Sequence, residues 1–243
     1  MVGGVIMDWE SIKKVTGILF EYLPNTLKLF AVTLLFAIPV GMLVTMLKKC
    51  RFKPISWLTN FYILVMRGTP LMLQIIAIYY AIPMLKANFS KDGTTGFFAN
   101  FINNIDTRSD SYMFTALCVA FVLNYAAYFA EIFRGGVDSI PKGQYEAASM
   151  LGMTRMQTFF RIILPQVTKR VIPATSNEVI TLVKDTSLAN IIAYAEITMK
   201  AKQQMNTYSS ILPLFIAGLF YFVLNAIVTV TFSVIEKKFN YYK

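Results

Sequence analysis

Three ionisable residues lie within one apolar stretch of this sequence, residues 171–195: Glu178, Lys184 and Asp185. Ionisable groups inside a membrane span are costly and usually functional. Glu178 and Asp185 are seven positions apart, so a helix places both carboxylates on one face, about 10 Å apart along its axis. This spacing predicts a polar face at mid-membrane whose carboxylates receive the amino groups of a zwitterionic or cationic substrate.

A structural interpretation of the same residues stays open. Lys184 and Asp185 would then neutralise charges across the interface of a dimer and contact no substrate. Lys184 repeats, with Asn177, the seven-residue spacing on the neighbouring strip of the helix. For Lys184 we expect structural ion pairing.

Other polar residues in apolar stretches give weaker signals. Gln74 is a candidate substrate ligand facing the cavity, although a lone glutamine more often bonds to a neighbouring helix. Glu131 lies three positions before Arg134 near the end of another apolar stretch. For that pair we expect an ion pair at a helix end.

The residue types that are missing exclude several kinds of chemistry. The chain has no histidine, which removes His-dependent zinc sites and His-based triads. Cys50 follows a basic cluster and Cys118 lies in an apolar run, and neither position suggests a disulfide. No Gly-Lys dipeptide occurs, so a P-loop of the usual type is absent. We therefore expect no catalytic residue, no metal site and no cofactor in this chain.

The elements that position these residues are predicted to be membrane helices. Hydrophobic residues make up 56% of the 243-residue chain and charged residues 15%, which is typical of a polytopic membrane protein. A spanning helix needs about 20 apolar residues. Five spans are predicted in a single domain, 1–243, near 26–47, 62–85, 111–133, 171–195 and 211–235. Residues 1–22 are predicted to form an amphipathic segment at the outer leaflet, and 86–110 an external loop.

The second predicted span is interrupted by Arg67-Gly68-Thr69-Pro70. Thr69 is a suitable helix cap and Pro70 suits a first turn. We therefore expect Arg67 at the cytoplasmic headgroups and residues 54–66 as an interfacial segment that leads into the span.

Basic residues predict the orientation. Lysines and arginines cluster after the first span, between the third and fourth spans, and at the C-terminus. By the positive-inside rule, the N-terminus is outside and the C-terminus cytoplasmic. The net charge of +10 then reflects anchoring to lipid headgroups, because no basic patch interleaved with aromatic residues indicates nucleic acid.

The cytoplasmic segment 135–170 contains the most specific pattern, between Gln144 and Gln166. Its markers are a helix-favouring Glu-Ala-Ala, a glycine that can end the helix in a left-handed turn, and a Leu-Pro pair expected to stop the apolar run that follows. They are Glu146, Ala147, Ala148, Gly152, Leu164 and Pro165. The spacing resembles the EAA loop of ABC-importer permeases. The alternative is a basic amphipathic connector between two spans.

Two further stretches resemble polar amino-acid permeases of that family. Met66 to Leu71, with Gln74 behind it, is similar to the start of a core helix, and Asn177 to Leu188 is similar to the fourth span. The run from Ala127 to Gly136 also leads into the EAA loop as in that family. The resemblance covers about residues 24–236 and supports Glu178 and Asp185 as substrate ligands.

The resemblance implies an all-α polytopic fold, the type I importer permease, with a cytoplasmic coupling helix. It also implies that two identical or homologous permease subunits pair in the bacterial cytoplasmic membrane. Separate ATPase subunits would use ATP and Mg, and an external binding protein would deliver a polar amino acid. The chain itself would not be an enzyme.

Alternatives within and outside the transport class remain. An ABC importer for another small solute is the nearest of them. A stand-alone channel or a secondary transporter would need no EAA loop and would work without ATP. A membrane enzyme is disfavoured by the missing nucleophile motif and metal-ligand cluster.

Overall fold

The computed structural model describes residues 7–92 and 96–239, and the regular structure there is helical. The helices are α1 (Trp9–Lys48), α2 (Lys53–Gly68), α3 (Leu71–Asp92), α4 (Phe97–Asn103), α5 (Asp110–Asp138), α6 (Lys142–Met150), α7 (Arg155–Thr158), α8 (Leu164–Asp185), α9 (Ile197–Tyr208) and α10 (Leu212–Phe239). A π-helical turn, Phe159–Ile163, joins α7 to α8, and a 3-10 helix, Thr186–Ile192, follows α8. Outside the described residues lie positions 1–6 of the predicted segment 1–22, positions 93–95 of the predicted loop, and positions 240–243.

Helix α5 is the centre of the fold. It packs against α1, α2, α3 and α8, and its side chains Leu117, Phe121 and Phe129 are fully buried. Small residues let the neighbouring helices come close. A Cβ on Gly41 of α1 would lie 2.8 Å from the Cβ of Phe129, and a Cβ on Gly136 would overlap a methyl group of α8. Close approach at small residues is typical of helix packing in membranes.

Four helices in the described part of the chain are long and apolar enough to cross a membrane. They are α1, the Leu71–Phe89 part of α3, α5 and α10. The predicted spans 26–47, 111–133 and 211–235 lie within α1, α5 and α10. At 40 residues, α1 is about 60 Å long. Residues 9–22 are therefore its first turns and not a separate segment.

The predicted interruption of the span 62–85 at residues 67–70 is confirmed. α2 ends at Gly68, and α3 begins at Leu71. Residues 54–66 belong to α2, which packs along α1 and α5. The Tyr62 hydroxyl donates to the Leu123 carbonyl at 2.5 Å, and Ile63 is buried. α2 and α3 therefore follow α5 as two helices separated by a break.

The predicted span 171–195 is wrong as one helix. α8 begins at Leu164 and ends at Asp185, and the 3-10 helix replaces it from Thr186. Ala193 then takes a left-handed conformation, with φ 61°. The apolar run continues through this change of backbone, which is why its hydropathy conceals the end of α8.

The predicted segment 135–170 contains short helices joined by turns. Gly152 has φ +69°, so the predicted left-handed turn after α6 is confirmed. The expectation that Leu164-Pro165 stops the following run is wrong. Pro165 lies in the first turn of α8, where the missing amide of proline costs no hydrogen bond.

Candidate functional site: a polar cavity between two helix ends

The break between α2 and α3 is held by side chains. Thr69 is extended, with φ −120° and ψ 148°, as a following proline favours. The Gln74 amide donates to the Met66 carbonyl at 3.0 Å and to the Thr69 hydroxyl at 2.8 Å. The Asn124 amide donates to the same Met66 carbonyl at 2.9 Å. Backbone groups freed by the break are thus satisfied from α3 and α5.

The sequence prediction placed Gln74 among the substrate ligands. Its side chain is only 8% exposed, and its amide oxygen accepts from Asn124 at 3.0 Å. Its hydrogen bonds hold the end of α2 against the start of α3. To contact a substrate, Gln74 would have to give up hydrogen bonds that the backbone needs.

Asp185 ends α8 at the same level as this break. The Tyr125 hydroxyl donates to Asp185 Oδ2 at 2.7 Å, and the neighbouring Asn124 holds the break itself. Both α5 residues lie near the middle of that helix, which runs from Asp110 to Asp138. Two interrupted helices therefore meet halfway along a continuous one.

A cavity of about 380 Å³ lies between these helix ends. The break, α5 and the end of α8 all contribute to its lining, which consists of Thr69, Pro70, Leu71, Asn124, Tyr125, Tyr128, Glu178, Thr181, Asp185 and Leu188. The two predicted carboxylate ligands, Glu178 and Asp185, are thus brought to one cavity. Gln74 is not among its lining residues.

The carboxylates in this cavity have few partners. In the described part of the chain, Glu178 forms no hydrogen bond or ion pair, and Asp185 accepts only from Tyr125. Across the cavity, Leu71 begins α3. The first amides of a helix lack intrahelical acceptors and carry the positive end of its dipole. The arrangement offers oxygen acceptors to a cation and backbone donors to an anion.

Toward the end of α5, the Glu131 carboxylate lies near cations from α1, α2 and α5. Lys48 Nζ is 2.5 Å from its carboxylate, and an Arg134 guanidinium nitrogen is 2.8 Å away. Arg134 also contacts Asp138 at 2.8 Å, which pairs with Lys49 at 2.7 Å. Glu131 and Arg134 thus form an ion pair, and it belongs to a larger cluster at the end of α1 and α5.

The sequence predicted Arg67 at the start of a span, but the structure places it before the break. It is the penultimate residue of α2, close to the break and to the middle of α5. Its guanidinium reaches back along α5, 3.9 Å from Glu131 and 5.2 Å from the centre of the Tyr128 ring. A long side chain thus carries the charge away from the break to the Glu131 end of α5.

Lys184 is exposed on α8. Among the ion pairs of the described residues none involves Lys184. Its expected structural pairing with a second subunit therefore stays a prediction.

The α6 region presents a surface without an intramolecular partner. Ala148 is its one buried residue, whereas Glu146 and Ala147 are exposed. Met150 is 88% and Leu151 79% exposed. An apolar surface of this kind, rimmed by polar residues, is typical of a protein interaction site.

Sequence reasoning did not name Thr69, Thr181 or Leu188 as lining residues, nor Asn124, Tyr125 and Tyr128. Thr181 was open to detection, because it lies three residues after Glu178 and four before Asp185, on the same helix face. Thr69 and Leu188 depend on where the helices break. The hydropathy of the sequence carries no signal for those two points.

A bundle of apolar helices that breaks around a polar cavity halfway along its central helix is typical of a membrane transport subunit. Residues 37–241 match the family described as binding-protein-dependent transport system inner membrane component. The chain belongs to that family.

Curated relatives and a solved structure extend this finding. The chain is 36% identical over 221 residues to an arginine transport system permease protein of Bacillus subtilis, covering 90% of this chain and 91% of that protein. It is 30% identical to an L-cystine transport system permease protein of the same organism, covering 98% and 94%. The structure of an amino acid ABC transporter crystallised with histidines matches with a TM-score of 0.79 and 31% identity, over 96% of this chain and all of that chain.

Proposed function

We propose that this chain is the permease subunit of an ATP-driven importer for neutral-polar or cationic amino acids. The observation that carries the proposal is the cavity in which Glu178 and Asp185 face the start of α3. The names of the relatives, which include arginine and L-cystine permeases, support the substrate class. The alternative within the family, another small solute, would not require two acidic groups opposite a helix N-terminus.

The geometry suggests how an amino acid lies in the cavity. The first amides of α3 bind the substrate α-carboxylate, because a helix N-terminus is an anion site. Asp185, oriented by Tyr125, binds the α-ammonium group. Glu178, one helical repeat away on α8, receives a cationic side chain. An anionic side chain would meet two carboxylates and be repelled.

The chain works in an assembly in this proposal. Two identical or homologous permease subunits form the pathway, separate ATPase subunits hydrolyse ATP with Mg, and an external binding protein delivers the substrate. The exposed surface of α6 fits the ATPase contact, and exposed Lys184 fits the contact between permease subunits. The N-terminus lies outside and the C-terminus in the cytoplasm. A cysteine at position 203 should then react with an impermeant thiol reagent added to intact cells, and labelling of one at position 155 would contradict this orientation.

Binding by the complete complex, reconstituted in liposomes with its ATPase, tests the substrate class. Radiolabelled lysine, glutamine and glutamate are compared in wild type and in Glu178→Gln. We expect lysine or glutamine to bind ahead of glutamate. Glu178→Gln should weaken lysine about tenfold or more, since one desolvated charge pair is worth at least one decade of affinity, and weaken glutamine much less.

Two results would overturn the site. Glutamate as the best substrate is one, and unchanged lysine affinity in Glu178→Gln is the other. Glu21→Gln, on an exposed face of α1, removes one carboxylate outside the cavity and is the matched control.

Coupling to the ATPase is tested at Gly152. Its φ of +69° is poorly tolerated by a β-branched residue. Gly152→Val should leave the protein inserted but weaken ATPase association or transport. Gly17→Val, at a helical glycine of α1 with open space around it, is the control, and wild-type uptake by assembled Gly152→Val complexes would contradict the proposed role.

A further inference from the structure

Tyr128 separates two cavities. One is the cavity with Glu178 and Asp185, and the other, of about 420 Å³, lies toward the ends of α1 and α5 and includes Lys48 and Glu131 in its lining. Tyr128 lines both. Arg67 lines the second cavity and lies over the Tyr128 ring, 5.2 Å from its centre. A cation and an aromatic ring thus form the partition between the two spaces.

Arg67 is the most loosely held cation of the Glu131 cluster. Lys48 and Arg134 contact the Glu131 carboxylate at 2.5 and 2.8 Å, whereas Arg67 is 3.9 Å away. Its side chain is 43% exposed. It precedes Gly68, the last residue of α2, around which there is open space. The guanidinium therefore has room to move, and leaving Glu131 costs it little because the other two cations remain.

The Glu178 carboxylate lies on the other side of Tyr128, in a cavity where a cation would neutralise it. Glu178 has no hydrogen-bond or ion-pair partner in the described part of the chain, yet it is half-buried. Arg67 lies against the Tyr128 ring, and this ring lines the cavity that contains Glu178. One mobile cation thus lies between two acidic groups, one already neutralised and one not.

We propose that Arg67 is a specificity-determining residue that shares its charge between Glu178 and Glu131 according to the charge of the bound substrate. This rests on the proposed function. With a neutral amino acid in the cavity, the Arg67 guanidinium leaves Glu131 and turns toward Glu178. A substrate with a cationic side chain takes its place at Glu178, and like-charge repulsion moves the guanidinium to Glu131. Arg67 therefore competes with cationic substrates and not with neutral ones.

The competition predicts that replacing Arg67 and replacing Glu131 change the affinity for lysine in opposite directions. Lysine and glutamine dissociation constants are measured for the purified, reconstituted complex. Arg67→Gln removes the competitor, so lysine should bind about tenfold more tightly, while glutamine changes less than about threefold. Glu131→Gln removes the carboxylate with which the displaced Arg67 guanidinium would pair. Arg67 is then more strongly attracted to Glu178. Lysine should then bind about threefold or more weakly, again with little change for glutamine.

The control is Lys49→Gln, which removes a cation from the same end of α1 but one that pairs with Asp138. It should leave the lysine-to-glutamine ratio at the wild-type value. A wild-type ratio in Arg67→Gln, or shifts of the same sign in Arg67→Gln and Glu131→Gln, would overturn the proposal. If Arg67→Gln does not assemble, Glu131→Gln decides alone, and an unchanged or tighter lysine affinity there refutes the competition. Failure of the wild-type complex to bind either amino acid refutes instead the proposed function.

Discussion

Buried or half-buried carboxylates occur in two regions of this molecule, at the start of α9 and in the last two turns of α8, and they differ in how their charge is satisfied. Glu196 is fully buried and is the N-cap of α9. It accepts hydrogen bonds from the amides of Thr198 and Met199 and from the Tyr221 hydroxyl, each at 2.8 Å. The Glu178 and Asp185 carboxylates face a cavity and together accept one hydrogen bond from the described residues.

The contrast separates structure from binding. A buried carboxylate with three donors has its acceptor capacity used within the protein, and its removal leaves donors unpaired. A half-buried carboxylate facing a cavity with few donors keeps that capacity for a ligand. Glu196 joins α9 to α10 through Tyr221. Glu178 and Asp185 together accept only one hydrogen bond from the described residues. This is consistent with a site that binds a substrate and releases it.

The largest effect is expected from removing the satisfied carboxylate. Glu196→Leu strands two backbone amides, at about 1–3 kcal/mol for each, so it should lower the free energy of unfolding by at least about 2 kcal/mol. The purified protein should unfold at a markedly lower temperature, followed by the fluorescence of Trp9 and Trp57. Glu196→Gln, which keeps one acceptor, should lie between Glu196→Leu and wild type.

Glu21→Leu, on an exposed face of α1, is the control for an unspecific loss of a glutamate. If Glu196→Leu unfolds at the wild-type temperature, the closed network of Glu196 contributes no stability. The contrast between the two groups would then have no energetic meaning.

The next effect is on binding and leaves stability in place. Asp185→Asn keeps the shape of the side chain and its bond from Tyr125 but removes a half-buried charge with few donors. We expect the affinity of the complex for both lysine and glutamine to fall by about tenfold or more, because the α-ammonium group is common to them. The unfolding temperature should stay equal or rise, since burying a charge is costly. A lowered unfolding temperature with unchanged affinity would place Asp185 in the same class as Glu196.

The sequence predicted the apolar helices and the interruption at residues 67–70, but it did not predict the end of α8 at Asp185 or the contacts that position the break. The spans in α1, α5 and α10 are identified by their hydropathy averaged over about 20 residues, together with the charges that flank them. A helix break is decided by local bonds, such as those from Gln74 and Asn124 to the Met66 carbonyl. Those bonds join residues far apart in sequence, so neither hydropathy nor a Thr-Pro signal determines the depth at which the break lies.

The candidate site shows the same division. Glu178 and Asp185 were found from their seven-residue spacing, which the regular geometry of α8 preserves. Gln74 was taken as a ligand because nothing local shows that its amide holds a break. Such a tertiary contact overrides a local expectation.

The smallest effects come from two tyrosines, and comparing them tests the contrast most directly. Tyr221 donates to the closed carboxylate Glu196 and Tyr125 to the open carboxylate Asp185, at 2.8 and 2.7 Å. Replacing either by phenylalanine removes one hydroxyl, worth about 1–2 kcal/mol. Tyr221→Phe should lower the unfolding temperature slightly and leave the affinities for lysine and glutamine unchanged. Tyr125→Phe should weaken both affinities about threefold, because Asp185 is no longer held toward the ammonium group, with little change in unfolding temperature. If both variants lose stability equally and neither changes affinity, Tyr125 and Asp185 form a structural pair, and the substrate α-ammonium group must bind elsewhere in the cavity.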